Sequence, residues 1–105
     1  MNNSIVTLGD PVADLIVPVS HLPIQAQEHQ SAEDIILEAG GTGNFLIIAA
    51  RLGLNPTVLG AVGQDYYGKR ILEILRGENV NIEHIVSETG STTSISIGLV
   101  SEGDD

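Results

Sequence analysis

Three stretches of the sequence contain residues whose types and spacing could bind a ligand. Asp10 and Asp14 form a carboxylate pair near the end of the first predicted strand, and glycine-containing segments occupy residues 40–44 and 63–69. In an open α/β sheet, ligands bind beyond the carboxyl ends of the strands and at the starts of the helices that follow. The first two stretches are therefore candidates for one binding site.

The two aspartates each have a structural and a functional interpretation. Asp14 opens an otherwise apolar strand. Its carboxylate therefore either faces water at the rim or points into a cleft, where it would accept hydrogen bonds from paired hydroxyls. Asp10 precedes Pro11, and a turn residue there would bond to nearby backbone. The residues alone favour neither interpretation.

Residues 63–69 match the glycine and lysine spacing of a phosphate-binding loop, between a predicted strand and a predicted helix. However, Arg70 stands where that loop needs a Ser or Thr for magnesium. Asp65 and two tyrosines also lie where backbone amides should surround an anion. We therefore predict a structural role, in which Asp65 caps the helix while Gly63 and Gly68 permit turns.

Composition excludes several classes of function. The 105 residues fit one domain, and 14 acidic against four basic residues give a net charge of −10, which disfavours nucleic acid and anionic membranes as partners. An apolar content of 42% predicts a globular aliphatic core. Cysteine is absent, which fits a reducing cytoplasm, and we expect neither a secretory signal nor a membrane span. The three histidines are too dispersed for a local metal site.

The elements that position these residues alternate between strands and helices. We predict core strands at 5–8, 57–62 and 82–86 and helices at 44–52 and 65–76, a succession typical of a parallel sheet with right-handed crossovers. The first strand is apolar at nearly every position, which predicts a central strand covered on both faces.

The helix at 44–52 is apolar on all sides, with Phe45, Ile48 and Leu52 on its main stripe, and we expect it to be buried nearly all round. Gly53 is its predicted stop. The preceding glycines at 40–43 predict a loop.

A second group of strands has a different pattern. Residues 15–19 contain Pro18, which predicts a sheet edge, and residues 33–38 form a short strand with charged ends. Residues 93–100 alternate strictly between apolar and small polar side chains, which predicts a sheet open on one side. The acidic turn that follows predicts that the sequence stops inside a hairpin, as a fragment would.

Several short motifs follow one another in a fixed order, namely Gly9-Asp10 with Asp14, Gly40-Gly41-Thr42-Gly43-Asn44, Ala49-Ala50-Arg51-Leu52-Gly53, and Val62-Gly63-Gln64-Asp65 with Gly68. This order resembles the amino-terminal third of the ribokinase-like (PfkB) carbohydrate kinases over nearly the whole chain. Gly53 follows Asn44 by nine positions and Gly63 follows Gly53 by ten, the interval of that family's first signature. The glycine segment is one residue shorter than the commoner form, and Leu46 replaces a usually small residue.

The resemblance implies a ribokinase-like three-layer, Rossmann-like α/β fold with a parallel core and a small β-sheet lid, of which only the amino-terminal part is present. The core would comprise about residues 1–14 and 40–92. The lid strands would lie at about 15–39 and 93–105, with Thr93 opening the family's lid hairpin.

The resemblance also implies a sugar site. Asp14 would accept hydrogen bonds from sugar hydroxyls, Asn44 would donate and accept, Gly41 would let the backbone approach the ring, and Thr42 would lie beside it. No Lys or Arg precedes Arg51, which favours a neutral sugar or nucleoside. The implied structural positions are Gly9, Asp10, Gly40, Gly53, Gly63, Asp65 and Gly68.

By the same resemblance, the complete enzyme would transfer the γ-phosphoryl group of ATP to a sugar hydroxyl and would need ATP and Mg²⁺. The family's Gly-Ala-Gly-Asp type motif does not occur in the 105 residues. We therefore predict that the chain alone binds neither cofactor and is inactive. The alternatives are a stand-alone sugar-binding module and a structural module that associates as a homodimer through the lid strands.

Overall fold

The computed structural model describes residues 3–101, which fold into two three-stranded sheets and two helices. The elements in chain order are β1 (Ser4–Leu8), β2 (Val12–Val19), β3 (Ile36–Glu38), α1 (Gly40–Arg51), β4 (Asn55–Gly63), α2 (Tyr66–Gly77), β5 (Ile85–Glu88) and β6 (Ser94–Ser101).

The first sheet, called the core sheet, has the strand order β1-β4-β5 and is parallel throughout. Because both crossovers advance in the same direction and such crossovers are right-handed, α1 and α2 lie on the same face. Val58 of β4 packs there against Leu46 of α1 and against Ile71 and Leu75 of α2, all fully buried. The predicted α/β fold with a parallel sheet is confirmed, although the third strand begins at Ile85 instead of 82.

The opposite face of the core sheet is apolar and exposed. Val6 and Leu8 of β1 are 61% and 87% exposed, and Leu59 and Val86 continue this face on β4 and β5. The prediction that the first strand is central was wrong, because β4 holds that position and β1 is an edge strand within residues 3–101. An apolar run indicates that both faces of a strand can be covered, but it does not indicate which other elements pack against those faces.

Helix α1 begins four residues earlier than predicted. Residues 40–43 form its first turn, so the predicted loop was wrong. Gly40 nevertheless has a φ of +73°, and a Cβ there would lie 2.7 Å from the carbonyl oxygen of Val12. Glycine at this position therefore permits both the turn into the helix and its close contact with β2.

The burial of α1 is also one-sided. Gly43, Leu46 and Ala49 are buried, whereas Phe45, Ile48 and Leu52 are more than half exposed. The prediction of nearly complete burial was therefore wrong. The exposed stripe borders a shallow apolar groove with Ile5 of β1, over which no described residue packs.

The second sheet, called the lid sheet, has the order β3-β2-β6, with β2 antiparallel to β3 and parallel to β6. The prediction that Pro18 places β2 at an edge was wrong, because β2 is central. Pro18 is accommodated because β3 pairs only as far as Ile16, so β6 is the only strand of residues 3–101 that pairs beside Pro18. The register confirms the alternation in β6 and gives the lid sheet one apolar face, formed by Ala13, Leu15, Val17, Leu37, Ile95, Ile97 and Leu99.

Helix α2 agrees closely with its prediction. Asp65 is its N-cap, Ile71 and Leu75 are on its buried side, and it ends at Gly77. Neither α1 nor α2 is long and apolar enough to cross a membrane, and residues 3–101 contain no other helix. The predicted turn after residue 101 lies outside the described residues.

Candidate functional site

The start of α1 is held directly against the start of β2. Gly40 contacts the Val12 carbonyl, and Ala39 and Ala13, which flank this contact, are 2% and 0% exposed within the core. Small side chains allow this approach, because a larger residue at Gly40 would collide with backbone. The contact fixes the relative position of Asp14, two residues along β2, and the first turns of α1.

The candidate ligand-binding side chains at this junction have no partners within the protein. Asp14 is half-buried, Thr42 and Asn44 are exposed, and none of the three side chains forms a hydrogen bond or ion pair within residues 3–101. A Cβ added to Gly41 would meet nothing within 4 Å, so space is open beside the first turn. A carboxylate, an amide and a hydroxyl left free in this way can donate to and accept from several hydroxyls of one ligand.

Asp10 is engaged elsewhere. Its Oδ1 accepts a hydrogen bond from the backbone N–H of Ala61 at 2.8 Å, while the N–H of Gly9 donates to the carbonyl of Leu59 at 2.9 Å. Gly60 lies opposite this turn, where a Cβ would be 3.1 Å from the Cα of Asp10. Asp10 therefore joins the end of β1 to β4, rather than bonding within its own turn.

Asp65 is the centre of a second, fully bonded cluster. Its Oδ1 accepts from the N–H of Gly68 at 2.8 Å and from the hydroxyl of Thr93 at 2.7 Å, and its Oδ2 accepts from the N–H of Thr93 at 2.8 Å. The buried N–H of Gly63 donates to the same hydroxyl at 3.0 Å. We call these four residues the Asp65 cluster. It connects the end of β4, the start of α2 and the residue before β6.

The hydrogen bonds of the Asp65 cluster have an electrostatic consequence. The backbone and hydroxyl donors of Thr93, followed by the N–H of Gly68, lower the pKa of Asp65 below its ordinary value of 3.8. The sequence predicted the cap and placed Thr93 at the start of the lid hairpin, but it did not indicate that Thr93, which is 4% exposed, bonds to Asp65. The available signal was its position directly before an alternating strand.

The Asp65 cluster also tests the phosphate-loop interpretation. The amides of Gly68 and Thr93 already donate to the Asp65 carboxylate, and Arg70 pairs with Glu73 at 2.7 Å. The residues at the start of α2 therefore do not fit the phosphates of a nucleoside triphosphate. Within residues 3–101, no three His, Asp or Glu side chains form a group that could hold a metal ion.

Two further features were not anticipated from the sequence. The Nε2 atom of His21 lies 2.5 Å from the carboxylate of Glu28 in the loop between β2 and β3. A shallow hollow of about 500 Å³ lies where β4 and α2 meet, bordered by Tyr66, Lys69 and Ser87. Neither Asp14 nor Asn44 lines this mostly apolar hollow, so it is separate from the candidate site.

Comparison with solved structures defines the fold. Over its whole length, the chain superimposes on 34% of Arabidopsis thaliana ribokinase, a structure described as complexed with ribose and ATP, with a TM-score of 0.82 and 26% identity. It also matches a nucleoside kinase from Methanocaldococcus jannaschii with a TM-score of 0.79 and 19% identity, covering 98% of this chain and 34% of that one. The protein therefore has the ribokinase-like α/β fold with a β-sheet lid.

Sequence comparison assigns the family. Residues 2–105 match the pfkB family carbohydrate kinases, and the chain belongs to that family. It is 32% identical over 92 residues to a 2-dehydro-3-deoxygluconokinase of Thermoproteus tenax, covering 88% of this chain and 27% of that protein. It is 30% identical over 102 residues to a ribokinase of Bacillus subtilis, covering 96% and 34%. The chain thus spans about a third of the length of these relatives.

Proposed function

We propose that this chain is the substrate-binding portion of an ATP-dependent kinase that phosphorylates a hydroxyl of a neutral sugar or nucleoside. Asp14 accepts hydrogen bonds from sugar hydroxyls, Asn44 donates and accepts, Gly41 permits close approach of the ring, and Thr42 lies beside it. One observation carries the proposal: the polar side chains at the β2 and α1 junction are free, whereas Asp10 and Asp65 are bonded within the protein.

The family allows more than one substrate, because the relatives named above include a kinase named for a sugar acid and one named for ribose. The absence of Lys and Arg from residues 1–50 favours the neutral class, since an anionic substrate would lack a cationic partner there. Residues outside this chain would complete the site.

We infer that the complete enzyme uses ATP and Mg²⁺ and that the 105-residue chain binds neither. Two observations support this inference. The amide of Gly68 in the first turn of α2 already donates to Asp65, and the sequence contains no Gly-Ala-Gly-Asp motif. We also place the enzyme in the cytoplasm. We divide the chain into a core, at about residues 1–14 and 40–92, and a lid formed by the remainder, with residues 12–14 at the boundary because they open β2 of the lid sheet.

Ligand titration tests the binding role. The 105-residue chain, labelled with ¹⁵N, would be titrated with ribose, fructose and adenosine while amide shifts are followed by NMR. We expect saturable shifts at the start of α1 and along β2 for one of these ligands, and their loss in Asp14→Asn. Absence of any saturable shift, with a folded spectrum, would contradict the proposal and favour a purely structural module.

An activity assay tests the proposal that the 105-residue chain alone does not catalyse phosphoryl transfer. The isolated chain should release no ADP above background when it is incubated with ATP, Mg²⁺ and the sugar that binds. Phosphoryl transfer depends on groups placed around the phosphoryl group, and half of a site should not catalyse it. Phosphorylated sugar produced by the purified chain would refute the inactivity of this portion.

We further infer a homodimer through the lid strands. Ile95, Ile97 and Leu99 share the apolar face of the lid sheet and are 43%, 63% and 44% exposed, and the outer edge of β6 pairs with no described strand. Sedimentation should give a dimer that dissociates in Ile97→Lys. Val86→Lys on the core sheet is the matched control and should leave the dimer intact.

A further inference from the structure

Two more polar side chains stand in line with Asp14 on the lid sheet. Glu38 of β3 and Ser96 of β6 are the register partners of Asp14 on its two sides. Side chains of directly opposed residues project from the same face of a sheet, with Cβ atoms about 5 Å apart. Glu38, Asp14 and Ser96 therefore form a row across the lid sheet, which we call the lid row.

The lid row is available to a ligand. Glu38 and Ser96 are exposed, Asp14 is half-buried, and no hydrogen bond or ion pair engages any of the three side chains within residues 3–101. Glu38 is separated from the first residue of α1 by Ala39 alone, so the row lies beside the helix start that carries the other candidate side chains. A ligand held by Asp14 would therefore meet Glu38 and Ser96 on either side.

The lid row also has an unbalanced negative charge. Two carboxylates stand directly opposite each other, an arrangement that is unfavourable in a sheet unless another group compensates it. No Lys or Arg occurs in residues 1–50. Arg51 and Arg70 are paired with Glu78 and Glu73, and the two other basic residues, Lys69 and Arg76, lie on α2 beside Leu72 and Ile82. A ligand bound beside the lid row would therefore be exposed to the negative electrostatic potential of these two carboxylates.

We propose that Glu38 and Ser96 determine the charge class of the substrate. The Glu38 carboxylate repels a sugar acid or a sugar phosphate held by Asp14, and Ser96 adds a donor and an acceptor for an uncharged polyol. The inference rests on the proposed function, and it assigns the preference for an uncharged substrate to two particular residues of the lid row. A second carboxylate about 5 Å from an anionic group disfavours it by about fourfold in bulk water, and by more where solvent is partly excluded.

The test compares neutral and acidic ligands on the 105-residue chain. Dissociation constants for ribose and fructose, and for ribonate and gluconate, would be measured by NMR titration at low salt. The unaltered chain should bind the better neutral sugar at least about tenfold more tightly than either acid. In Glu38→Gln, this preference should fall by about three- to tenfold, mainly because the acids bind better.

Three further measurements separate the inference from simpler explanations. Glu83→Gln changes the net charge equally at an exposed site outside the lid sheet and should leave the preference unchanged. Ser96→Ala should weaken neutral-sugar binding by about three- to tenfold. Raising the ionic strength should reduce the preference of the unaltered chain but not that of Glu38→Gln to the same degree.

The outcomes distinguish the inference from the proposed function. If a neutral sugar binds, Asp14→Asn weakens it and Glu38→Gln leaves the preference unchanged, the charge-selecting role of Glu38 is wrong and the sugar site stands. If sugar acids bind the unaltered chain as well as neutral sugars do, both the inference and the neutral substrate class of the proposed function are wrong, and only the sugar site stands. If no ligand binds the folded chain, the proposed function and the inference are both overturned.

Discussion

Asp14 and Asp65 show that the same side chain can have opposite hydrogen-bonding states in one small fold. Asp65 receives three hydrogen bonds, from Gly68 and from two groups of Thr93, and it closes the connection between the core sheet and the lid. Asp14 lies on the lid sheet with no side-chain partner in the described part of the chain. A partly buried carboxylate without a partner is unfavourable for stability, which is consistent with a ligand-binding role.

The glycines of the two regions show the same difference. Gly68 is packed so closely that an added Cβ would lie 2.7 Å from the Thr93 hydroxyl and would also collide with the carbonyl of Gly63. Gly41 faces open space. Glycine is thus needed at position 68 because a side chain would collide with groups already packed there, whereas glycine at position 41 leaves open space that a ligand can occupy.

The largest expected effect comes from adding a methyl group to the Asp65 cluster. Gly68→Ala should reduce the free energy of unfolding by about 3 kcal/mol or more, because neither the backbone carbonyl nor the bonded hydroxyl can move away cheaply. Gly41→Ala should be neutral or stabilise by up to about 1 kcal/mol, since alanine favours a helix. Urea unfolding followed by circular dichroism measures both.

Sugar binding should distinguish Gly41→Ala in the other direction, by an effect on affinity and not on stability. Gly41→Ala should weaken sugar binding, because the methyl group occupies the approach to α1, while its stability is retained. Equal stability losses in the two variants would show that the helix start is as closely packed as the Asp65 cluster, and the distinction between the two regions would then disappear.

The next effect comes from the hydroxyl of Thr93. Thr93→Val keeps the shape of the side chain but leaves the buried N–H of Gly63 without an acceptor and removes one donor to Asp65, so it should destabilise the fold by about 1 to 3 kcal/mol. Thr42→Val should change stability by less than about 0.5 kcal/mol, because that hydroxyl is exposed and unbonded. Thermal and urea unfolding of both variants tests this.

Much of the fold follows from the pattern of the sequence. The alternation of strands and helices predicted the parallel core sheet, and the Asp65 cap and Gly77 stop placed α2 to within a residue. These features are local, since caps and helical periodicity act within a few residues. The position of β1 at an edge and the exposure of Phe45 on α1 depend on which elements pack over them, and no local pattern encodes that.

The residue types of the candidate site could be predicted from the sequence, but the residues that lie beside them on neighbouring strands could not. Asp14, Thr42 and Asn44 are indicated by motif spacing, but the placement of Glu38 and Ser96 beside Asp14 requires the strand register. Glu38 belongs to a strand of three residues, too short for its register to be read from its pattern. The bonded state of Asp10 is equally non-local, because its partner Ala61 is 51 residues away.

Asp14→Asn should have a smaller effect on stability and a clear one on binding. The amide keeps one acceptor but loses the charge, so sugar affinity should fall by about tenfold. Stability should stay the same or rise, since the change also removes a charge opposite Glu38. A marked loss of stability, measured by urea unfolding, would mean that Asp14 supports the fold as Asp65 does.

The smallest effect concerns the pH dependence of stability that Asp65 contributes. Hydrogen bonds lower the pKa of Asp65 in the folded state, so its contribution to stability is fully present above the unfolded-state value near 3.8 and is lost as the pH falls through the lower folded-state value. Asp65→Asn should therefore be less stable than the unaltered chain at pH 7, and the difference should narrow below about pH 4. Urea unfolding at pH 7, 5, 4 and 3 measures the difference.

Asp34→Asn controls for the loss of one negative charge, because Asp34 is exposed and forms no side-chain hydrogen bond within residues 3–101. The free energy of unfolding of Asp34→Asn should differ from that of the unaltered chain by the same amount at every pH, since no hydrogen-bond network depends on the carboxylate of Asp34. If the Asp65→Asn difference stayed constant from pH 7 to 3, the cluster would hold Asp65 equally well in its protonated form. The contrast with Asp14 would then rest on packing alone and not on charge.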